Sequence, residues 1–375
     1  MNKGIAKILR FVRIYGISRT ITKVAGRMRP SVPLKPVLSI LRPFKNGPSV
    51  GIIGCGQFSY SAIAYFLTTS TNARIRWCCD IDIKAARTMA VAFGIQQYAD
   101  SLDKLSEDVD LVYIASNHAS HTDYAIECMQ RGANVYVEKP ISTTWEQFDR
   151  LQRAKSLYQR EIYVGYNRPH SPAIATICQR VADKEKPFTL ACFVSGHFIP
   201  EDHWYRNPEE GTRVCGNLGH WLDLAVYLLF QAKQVPEAVD ITMSYSDSDT
   251  PSDNFSVTLT TARGDLITLT FSSRSEPFEG VNETINYQQD DVIVKVDDHR
   301  RIWIWQDDKY YTKRYWPKNA GHKKAILQPF VGVQKRHWQE LTASTRLMLE
   351  VTDMVNFLDN SRHFKLSPKI DRQET

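Results

Sequence analysis

Two glycines separated by one residue follow a short apolar run early in the chain. Gly54-Cys55-Gly56 comes directly after Ser49–Ile53, whose composition predicts a buried strand. Gly54 permits a tight turn, and Gly56 lets the backbone approach a phosphate group with no side chain between them. A helix beginning near Gln57 offers the N–H groups of its first turn, those of Gln57 and Phe58, to an anion. The spacing therefore predicts a turn that binds a pyrophosphate.

An aspartate stands at the end of the next predicted strand. Asp80 follows Arg74–Cys79 and lies 26 residues after Gly54. A carboxylate at that place accepts hydrogen bonds from ribose hydroxyls and repels a 2′-phosphate, so we expect NAD(H) as the cofactor, with NADP(H) disfavoured. The alternative is a helix cap, since Asp80 or Asp82 could begin the helix predicted over Ile83–Phe93.

Polar residues also follow the other predicted strands of this half of the chain. They are Ser116, Glu138, Lys139 and Asn167. In an open parallel sheet, ligands bind at the carboxyl ends of the strands. The clustering is therefore a second, independent indication of a site.

The alternation of strands and helices predicts an α/β fold class. Repeated strand–helix units over residues 48–168 predict an N-terminal Rossmann domain with a doubly wound parallel sheet. The alternating pattern of short runs in residues 169–375 predicts a C-terminal α+β domain with a large, mostly antiparallel open sheet. Its predicted strands include Phe188–Ser195, Asp240–Tyr245, Phe255–Thr260 and Leu266–Phe271. Residues 1–47 form a separate basic arm and a proline-rich linker.

Charge is distributed unevenly along the 375 residues. Residues 1–47 hold eleven of the 47 lysines and arginines and no acidic residue, so the other 36 face 41 acidic residues, a net charge of −5. A mildly acidic body argues against nucleic acid as a partner. The seven cysteines include no CxxC pair, so we expect neither disulfides nor a metal site. This usage, with no long apolar stretch, predicts a cytoplasmic protein.

The basic arm has an amphipathic pattern. Apolar residues recur at helical spacing from Ile5 to Tyr15, with basic residues from Lys3 to Arg13 on the opposite face. Such a helix can lie among the headgroups of an anionic membrane, so we expect residues 1–30 to contact the inner membrane surface peripherally. Two alternatives stay open: a solvated or partner-binding tail, and a cleaved targeting peptide.

Four ordered motifs resemble the glucose–fructose oxidoreductase/inositol dehydrogenase (Gfo/Idh/MocA) family. They are "VGIIGCGQFS", "ASNHASHTDYAIECMQRGANVYVEKP", "VGYNRPHSP" and "GNLGHWLDL". Their joint occurrence is specific in a way that none of them is singly. The resemblance covers about residues 49–360 and implies an NAD(H)-dependent sugar oxidoreductase. It also places Ser116 and His121 of the second motif among the cofactor-binding residues.

The same resemblance implies two residues for the chemistry. Lys139 would hold the substrate hydroxyl and stabilise the alkoxide that develops as hydride leaves, and Glu138 would orient its ammonium group. In the family the peptide bond to the following proline, Pro140, is often cis. The alternative for Lys139 is a solvated surface lysine. His220 matches the histidine that transfers the proton, and its ordinary pKa suits that task.

The chain departs from the family pattern four residues before His220. The family has an aspartate there, and this chain has Gly216 with Asn217 beside it. Asn217 is therefore a candidate to replace the missing acid. In the alternative interpretation His220 is a core histidine hydrogen-bonded to Asp223, three residues further along the helix.

Further candidates for substrate contact lie around the start of the second domain. They are Asn167, Arg168, His203, Trp204 and Arg206. Their donors and aromatic faces suit a sugar ring and a nucleotide diphosphate, although ordinary surface residues are an equal alternative. The family resemblance also implies a homo-oligomer that forms through the C-terminal sheet.

Three functional hypotheses follow. The leading one is oxidation or reduction of a ring hydroxyl or ketone on a sugar or nucleotide-sugar, in polysaccharide biosynthesis. The second keeps NAD tightly bound and catalyses a reaction with no net redox change. The third is a dinucleotide-binding regulator or scaffold without turnover.

Overall fold

The chain forms two compact units in the computed structural model. The model describes residues 3–34, 47–105, 108–275, 280–330, 332–333 and 335–366. The first unit comprises Met1–Asn167 and Trp316–Lys335, and the second comprises Arg168–Tyr315 and Arg336–Thr375. Most of the predicted proline-rich linker, residues 35–46, lies outside the described residues.

A six-stranded parallel sheet forms the centre of the first unit. Its strands are β1 Ser49–Ile53, β2 Arg74–Cys79, β3 Gln97–Ala99, β4 Leu111–Ile114, β5 Asn134–Val137 and β6 Ile162–Val164. They lie in the order β3-β2-β1-β4-β5-β6, and each neighbouring pair is parallel. The strand order reverses between β1 and β4, which is the place where such sheets bind ligands. The predicted doubly wound sheet is confirmed.

Helices connect these strands and precede them. They are α1 Lys3–Tyr15, α2 Ile17–Met28, α3 Tyr65–Ser70, α4 Ile83–Phe93, α5 His121–Gln130 and α6 Trp145–Tyr158. A π-helical turn, Ser59–Ala64, leads directly into α3. Asp82 caps α4 by accepting a hydrogen bond from the Lys84 amide, and Gly94 ends that helix in the left-handed conformation. These local signals place the helix after β2 and leave Asp80 at the strand end.

The basic arm packs onto the first unit through its small residues. Thr20, Ala25 and Gly26 of α2 are buried, whereas Ile17 and Ile21 are 65% and 54% exposed. The charged groups of two α2 side chains lie over aromatic rings, that of Arg19 over Phe66 and that of Lys23 over Tyr15. Burial, with repulsion from neighbouring cations, lowers the pKa of Lys23 to about 7. The apolar side of α2 therefore faces solvent rather than the domain.

A nine-stranded sheet forms the centre of the second unit. Its strands are β7 Thr189–Ser195, β8 Ala238–Tyr245, β9 Asn254–Thr260, β10 Leu266–Ser272, β11 Asn282–Gln289, β12 Val292–Asp297, β13 Arg301–Gln306, β14 Lys309–Arg314 and β15 Ser361–Lys365. Their order is β14-β13-β12-β11-β7-β10-β9-β8-β15, and among the described residues of this sheet only β7 and β10 pair in parallel. The predicted large, mostly antiparallel sheet is confirmed.

Three main helices accompany this sheet. They are α7 Pro172–Arg180, α8 Gly219–Gln231 and α9 Trp338–Phe357. A buried ion cluster joins α8 to α9, because Arg336 donates to both carboxylate oxygens of Asp223 and also contacts Glu340. A guanidinium between two acids is well compensated, which offsets the cost of burying it. The cluster fixes α8, the helix that carries His220.

Within the described residues, no helix combines the length and the apolar character that a membrane span requires.

Candidate functional site

The glycine turn after β1 has the geometry that a pyrophosphate requires. Gly54 has φ +83°, and a Cβ there would lie 2.4 Å from the carbonyl oxygen of Ala115, so this position requires glycine. A Cβ on Gly56 would meet no atom within 4 Å. The turn thus packs closely against the end of β4 on one side and leaves open space above Gly56. That open cradle next to a helix start fits a phosphate group.

Asp80 lies against this turn. Its Oδ2 accepts a hydrogen bond from the backbone N–H of Cys55 at 2.6 Å, and its Oδ1 accepts one from the N–H of Asp82 at 2.9 Å. A carboxylate has about four acceptor positions, so capacity remains for ribose hydroxyls. The helix cap is Asp82, which leaves the predicted cofactor role to Asp80. The turn and Asp80 are therefore brought together as a dinucleotide requires.

The basic arm reaches the same turn, a contact that its sequence pattern does not predict. The Arg29 guanidinium donates to the carbonyl oxygen of Cys55 at 2.5 Å and lies 5.0 Å from the ring centre of Tyr60. The side chain of Gln57 donates to the carbonyl oxygen of Lys23 at 2.9 Å. Gln57 thus holds α2 with its side chain, and only its backbone N–H is left for an anion. An amphipathic pattern carries no signal for such a long-range contact.

Two loops at the carboxyl edge of the sheet are fixed by His121. Its Nδ1 lies 2.7 Å from the carbonyl oxygen of Pro140, and its Nε2 lies 3.2 Å from that of Ser116. The imidazole is buried. His121 therefore lies behind the loops and positions them. The hydroxyl of Ser116 lies 2.7 Å from that of Ser120, at the start of α5.

Glu138 is held in a partly buried pocket at the end of β5. The hydroxyl of Tyr136 donates to Glu138 Oε1 at 2.7 Å. A Cβ on Gly165 would lie 2.5 Å from Glu138 Oε2, so glycine there makes room for the carboxylate. Burial raises the pKa of Glu138 to about 7, against the opposing effects of the Tyr136 hydrogen bond and the Lys139 charge. Lys139 is joined to Pro140 by a cis peptide bond.

Asn167 and Phe58 contact the segment that returns to the first unit. The side-chain amide of Asn167 donates to the carbonyl oxygen of Ala320 at 2.5 Å, and Asn167 is buried. The ring of Phe58 lies 6.0 Å from that of His322. Asn167 therefore holds this segment in place in the first unit, a contact that its position after a strand did not predict.

In the second unit, His220 lies at the start of α8. It is partly buried, and its ring lies 6.0 Å from that of Trp221 in an edge arrangement. Asp223, offered as its partner, is instead bound on both oxygens by Arg336. The side-chain oxygen of Asn217 is buried and has no hydrogen-bond partner among the described residues. An unmet acceptor two residues before α8 suits a ligand hydroxyl.

Tyr205 explains the departure at Gly216. A Cβ on Gly216 would lie 2.0 Å from the Tyr205 hydroxyl oxygen. The phenol therefore occupies the space that any side chain at position 216 would need. Burial raises the pKa of Tyr205 well above its ordinary value, so it stays a neutral hydroxyl. The space beside position 216 is thus filled by a neutral aromatic side chain.

Arg168 is part of a buried network. Its guanidinium contacts Glu283 at 3.1 Å and lies 4.4 Å from the ring centre of Trp221. Glu283 also lies 2.5 Å from Nε2 of His299, whose Nδ1 lies 2.7 Å from the hydroxyl of Ser171. Arg168 thus braces Trp221, the neighbour of His220.

His203 is exposed and caps a short turn. Its Nδ1 accepts a hydrogen bond from the N–H of Tyr205 at 3.2 Å, at the start of the turn Trp204–Arg206. Trp204 is 43% exposed. This turn brings together three of the residues predicted for substrate contact, His203, Trp204 and Arg206.

Comparison with known proteins identifies the first unit. Residues 49–166 match the family model described as "Oxidoreductase family, NAD-binding Rossmann fold", which confirms the predicted NAD-binding domain. The chain is 31% identical over 187 residues to inositol 2-dehydrogenase 2 of Saccharopolyspora erythraea, covering 49% of this chain and 54% of that protein. Inositol 2-dehydrogenase of Burkholderia cenocepacia is 27% identical over 193 residues, covering 48% and 54%. The chain thus spans about half the length of the curated relatives it matches.

Solved structures share the fold over most of the chain. GenD2 from gentamicin A biosynthesis, in complex with NAD, has a TM-score of 0.70 at 19% identity, covering 86% of this chain and 98% of that one. A Gfo/Idh/MocA family oxidoreductase from Vibrio cholerae has a TM-score of 0.66 at 18% identity, covering 83% and 99%. At these identities the likeness establishes the fold alone.

The close approach of Tyr205 to Gly216 predicts a strong energetic coupling between the two positions. We expect Gly216→Ala to lower the free energy of unfolding by about 1–3 kcal/mol, because the added methyl overlaps the phenol. In a Tyr205→Ala background the same change should cost almost nothing. Urea denaturation of the double-mutant cycle measures the coupling. Equal costs in both backgrounds would contradict the steric explanation.

Proposed function

We propose that this chain, whose residues 49–166 belong to the NAD-binding Rossmann fold of the Gfo/Idh/MocA oxidoreductase family, is an NAD(H)-dependent oxidoreductase. Its substrate would be a sugar or nucleotide-sugar, oxidised at a ring hydroxyl or reduced at a ring ketone. The observation that carries the proposal is the open cradle at Gly56 with Asp80 bonded to the same turn. The cradle suits a pyrophosphate and Asp80 suits the adenosine ribose.

Residues of the chain itself would bind the substrate, orient it and transfer the proton. Bound NAD supplies the hydride acceptor. Lys139 would hold the substrate hydroxyl and stabilise the negative charge that develops on its oxygen. Glu138, when ionised, orients the ammonium group of Lys139. His220 would accept the proton, and the unmet side-chain oxygen of Asn217 would accept a hydrogen bond from another hydroxyl of the substrate.

The names of the relatives support a sugar-type substrate. Two curated relatives are called inositol 2-dehydrogenases. A nucleotide-sugar substrate goes further and rests on the donors and aromatic faces of the turn Trp204–Arg206. A place in polysaccharide assembly would fit contact of the arm with a membrane surface. We propose the cytoplasm as the site of action, with the arm at the inner membrane surface.

One observation favours the regulator alternative. The acid expected before His220 is replaced by a neutral phenol, which removes a charged acceptor from the predicted proton path. A dinucleotide-binding sensor would keep the glycine turn and Asp80 and dispense with that acid. NAD binding without turnover on sugars of several classes would establish this alternative.

The arm supports a second proposal, contact with an anionic membrane surface. The outward-facing apolar residues are Ile8, Leu9, Ile17, Ile21 and Met28, each at least 45% exposed. Arg10, Arg13 and Arg27 are exposed among them. Apolar side chains flanked by arginines suit insertion among anionic headgroups.

Liposome flotation tests this second proposal. The full chain should float with vesicles containing phosphatidylserine and stay behind with neutral vesicles. Ile17→Ser/Ile21→Ser should abolish flotation, because it removes apolar contact without disturbing the buried side of α2. Equal flotation of the variant and the parent chain would refute membrane contact through this surface.

The open face of the second sheet supports a homo-oligomer. Phe193, Ile293 and Trp305 lie on β7, β12 and β13 and are 50%, 44% and 40% exposed. Exposed apolar side chains on one face of a sheet are typical of an interface between subunits. Light scattering of the full chain measures the size of the assembly. A monomer at working concentration would reject the homo-oligomer.

Lys139→Met tests the catalytic proposal. We expect the rate of NAD reduction with a competent sugar to fall by about 10²–10³-fold, because the developing alkoxide loses its cation. NAD affinity, measured by fluorescence, should stay near that of the parent chain. Lys104→Met is the matched control, since Lys104 forms an exposed pair with Asp100. Unchanged turnover in Lys139→Met would reject the mechanism.

The pKa of Glu138 predicts a pH dependence. An acid is ionised above its pKa, so the rate should rise with pH through about 7, where Glu138 becomes a carboxylate. Tyr136→Phe removes a hydrogen bond that stabilises the carboxylate. The rising limb of the pH–rate profile should therefore move to higher pH by about one unit. Tyr113→Phe is the control, because the hydroxyl of Tyr113 donates to Ile326 instead. A limb that does not move in Tyr136→Phe would contradict the assignment.

A further inference from the structure

Two arginines of the second unit share one carboxylate. Arg206 donates to Oδ1 of Asp253 at 3.1 Å and to Oδ2 at 2.9 Å. Arg213 also donates to Oδ1 of Asp253, at 3.4 Å. Arg206 also donates to the carbonyl oxygen of Ile199 at 2.7 Å, which fixes its orientation. We call Arg206, Arg213 and Asp253 the arginine pair cluster.

The arginine pair cluster carries one positive charge in excess. Asp253 contacts both guanidinium groups, so a single carboxylate is shared by two cations. The side chains of Arg213 and Asp253 are 2% and 14% exposed. Burial lowers the pKa of Arg213, although Asp253 opposes the effect. A buried positive excess is costly unless an anion compensates it.

The cluster also has donors to spare. The Nε atoms of Arg206 and Arg213 are buried and have no hydrogen-bond partner in the part of the chain that the structure describes. Guanidinium groups present up to five donors in a fixed plane, in a geometry that matches carboxylate and phosphate oxygens. The side chain of Arg206 is 24% exposed, so it can be reached from solvent.

The position of the cluster connects it to the proposed substrate site. Arg206 ends the turn Trp204–Arg206, and the hydroxyl of Tyr205 in that turn lies beside Gly216. Gly216 belongs to the π-helical turn Val214–Leu218 that leads into His220, and Arg213 directly precedes this turn. The cluster and the start of α8 are thus linked through Tyr205.

We infer that the arginine pair cluster binds an anionic group of the substrate, so the substrate class is a sugar that carries a carboxylate or a phosphate. This inference rests on the proposed function and narrows it. Arg206 contacts the anion directly, and Arg213 contributes charge behind it. The neutral phenol of Tyr205 fits the same view, because an acid at position 216 would lie close to the cluster and oppose anion binding.

Calorimetry of the full chain with three probes tests the inference. The probes are glucuronate, glucose 1-phosphate and glucose, each titrated in the presence of saturating NADH. We expect at least one anionic sugar to bind about tenfold or more tightly than glucose, since hydrogen bonds to charged groups are strong. The two anionic probes separate a carboxylate from a phosphate ligand.

Four variants make the test specific. Arg206→Gln should weaken anion binding by about tenfold and leave glucose unchanged. Asp253→Asn should keep or strengthen anion binding, because it removes the competing negative charge. Arg180→Gln is the matched control, since Arg180 is partly buried in the same unit and contacts the neutral Gln306. Arg206→Lys keeps the charge and guards against a folding defect in Arg206→Gln.

The outcomes separate this inference from the proposed function. If the parent chain does not bind NADH, the proposed function itself is rejected. Intact NADH binding with equal affinity for the three sugars, or with no binding of either anion, would overturn the inference. So would anion binding that Arg206→Gln leaves unchanged.

Discussion

The hydrogen bond from the Cys55 amide to the Asp80 carboxylate joins the ends of two neighbouring strands at the edge where a dinucleotide would bind. Cys55 stands between the two glycines, so the position of the turn and that of Asp80 cannot vary independently. The Arg29 guanidinium holds the carbonyl oxygen of the same residue from the arm side. Both backbone polar groups of Cys55 are thus fixed before any ligand arrives, and such preorganisation lowers the cost of binding. The cofactor role of the first unit depends on this arrangement.

The second unit positions its residues by burying charge. Arg336 between Asp223 and Glu340 fixes α8 against α9, and Arg168 on Glu283 braces Trp221 beside His220. In the first of these clusters two acids surround one guanidinium, and in the second Arg168 and Glu283 pair one to one. The arginine pair cluster has the opposite imbalance, two guanidinium groups on one carboxylate, and this positive excess favours an anionic ligand there.

Local signals in the sequence predicted much of the fold. The glycine spacing and Asp80 predicted the first βα unit, and alternating strands such as Phe255–Thr260 predicted the second sheet. Contacts between distant segments carry no such signal. The approach of Tyr205 to Gly216, the contact of Arg29 with Cys55 and the return of Trp316–Lys335 to the first unit all depend on tertiary packing. For the same reason the role of Asn167 in holding Ala320 could not be read from its place after a strand.

The account depends most directly on dinucleotide binding by the full chain. Calorimetric titration with NAD(H) and NADP(H), after removal of any nucleotide carried through purification, measures it. The account predicts saturable heat with NAD(H) and weaker binding of NADP(H), because Asp80 repels a 2′-phosphate. Absence of heat with both dinucleotides, from folded protein that carried none through purification, would contradict it.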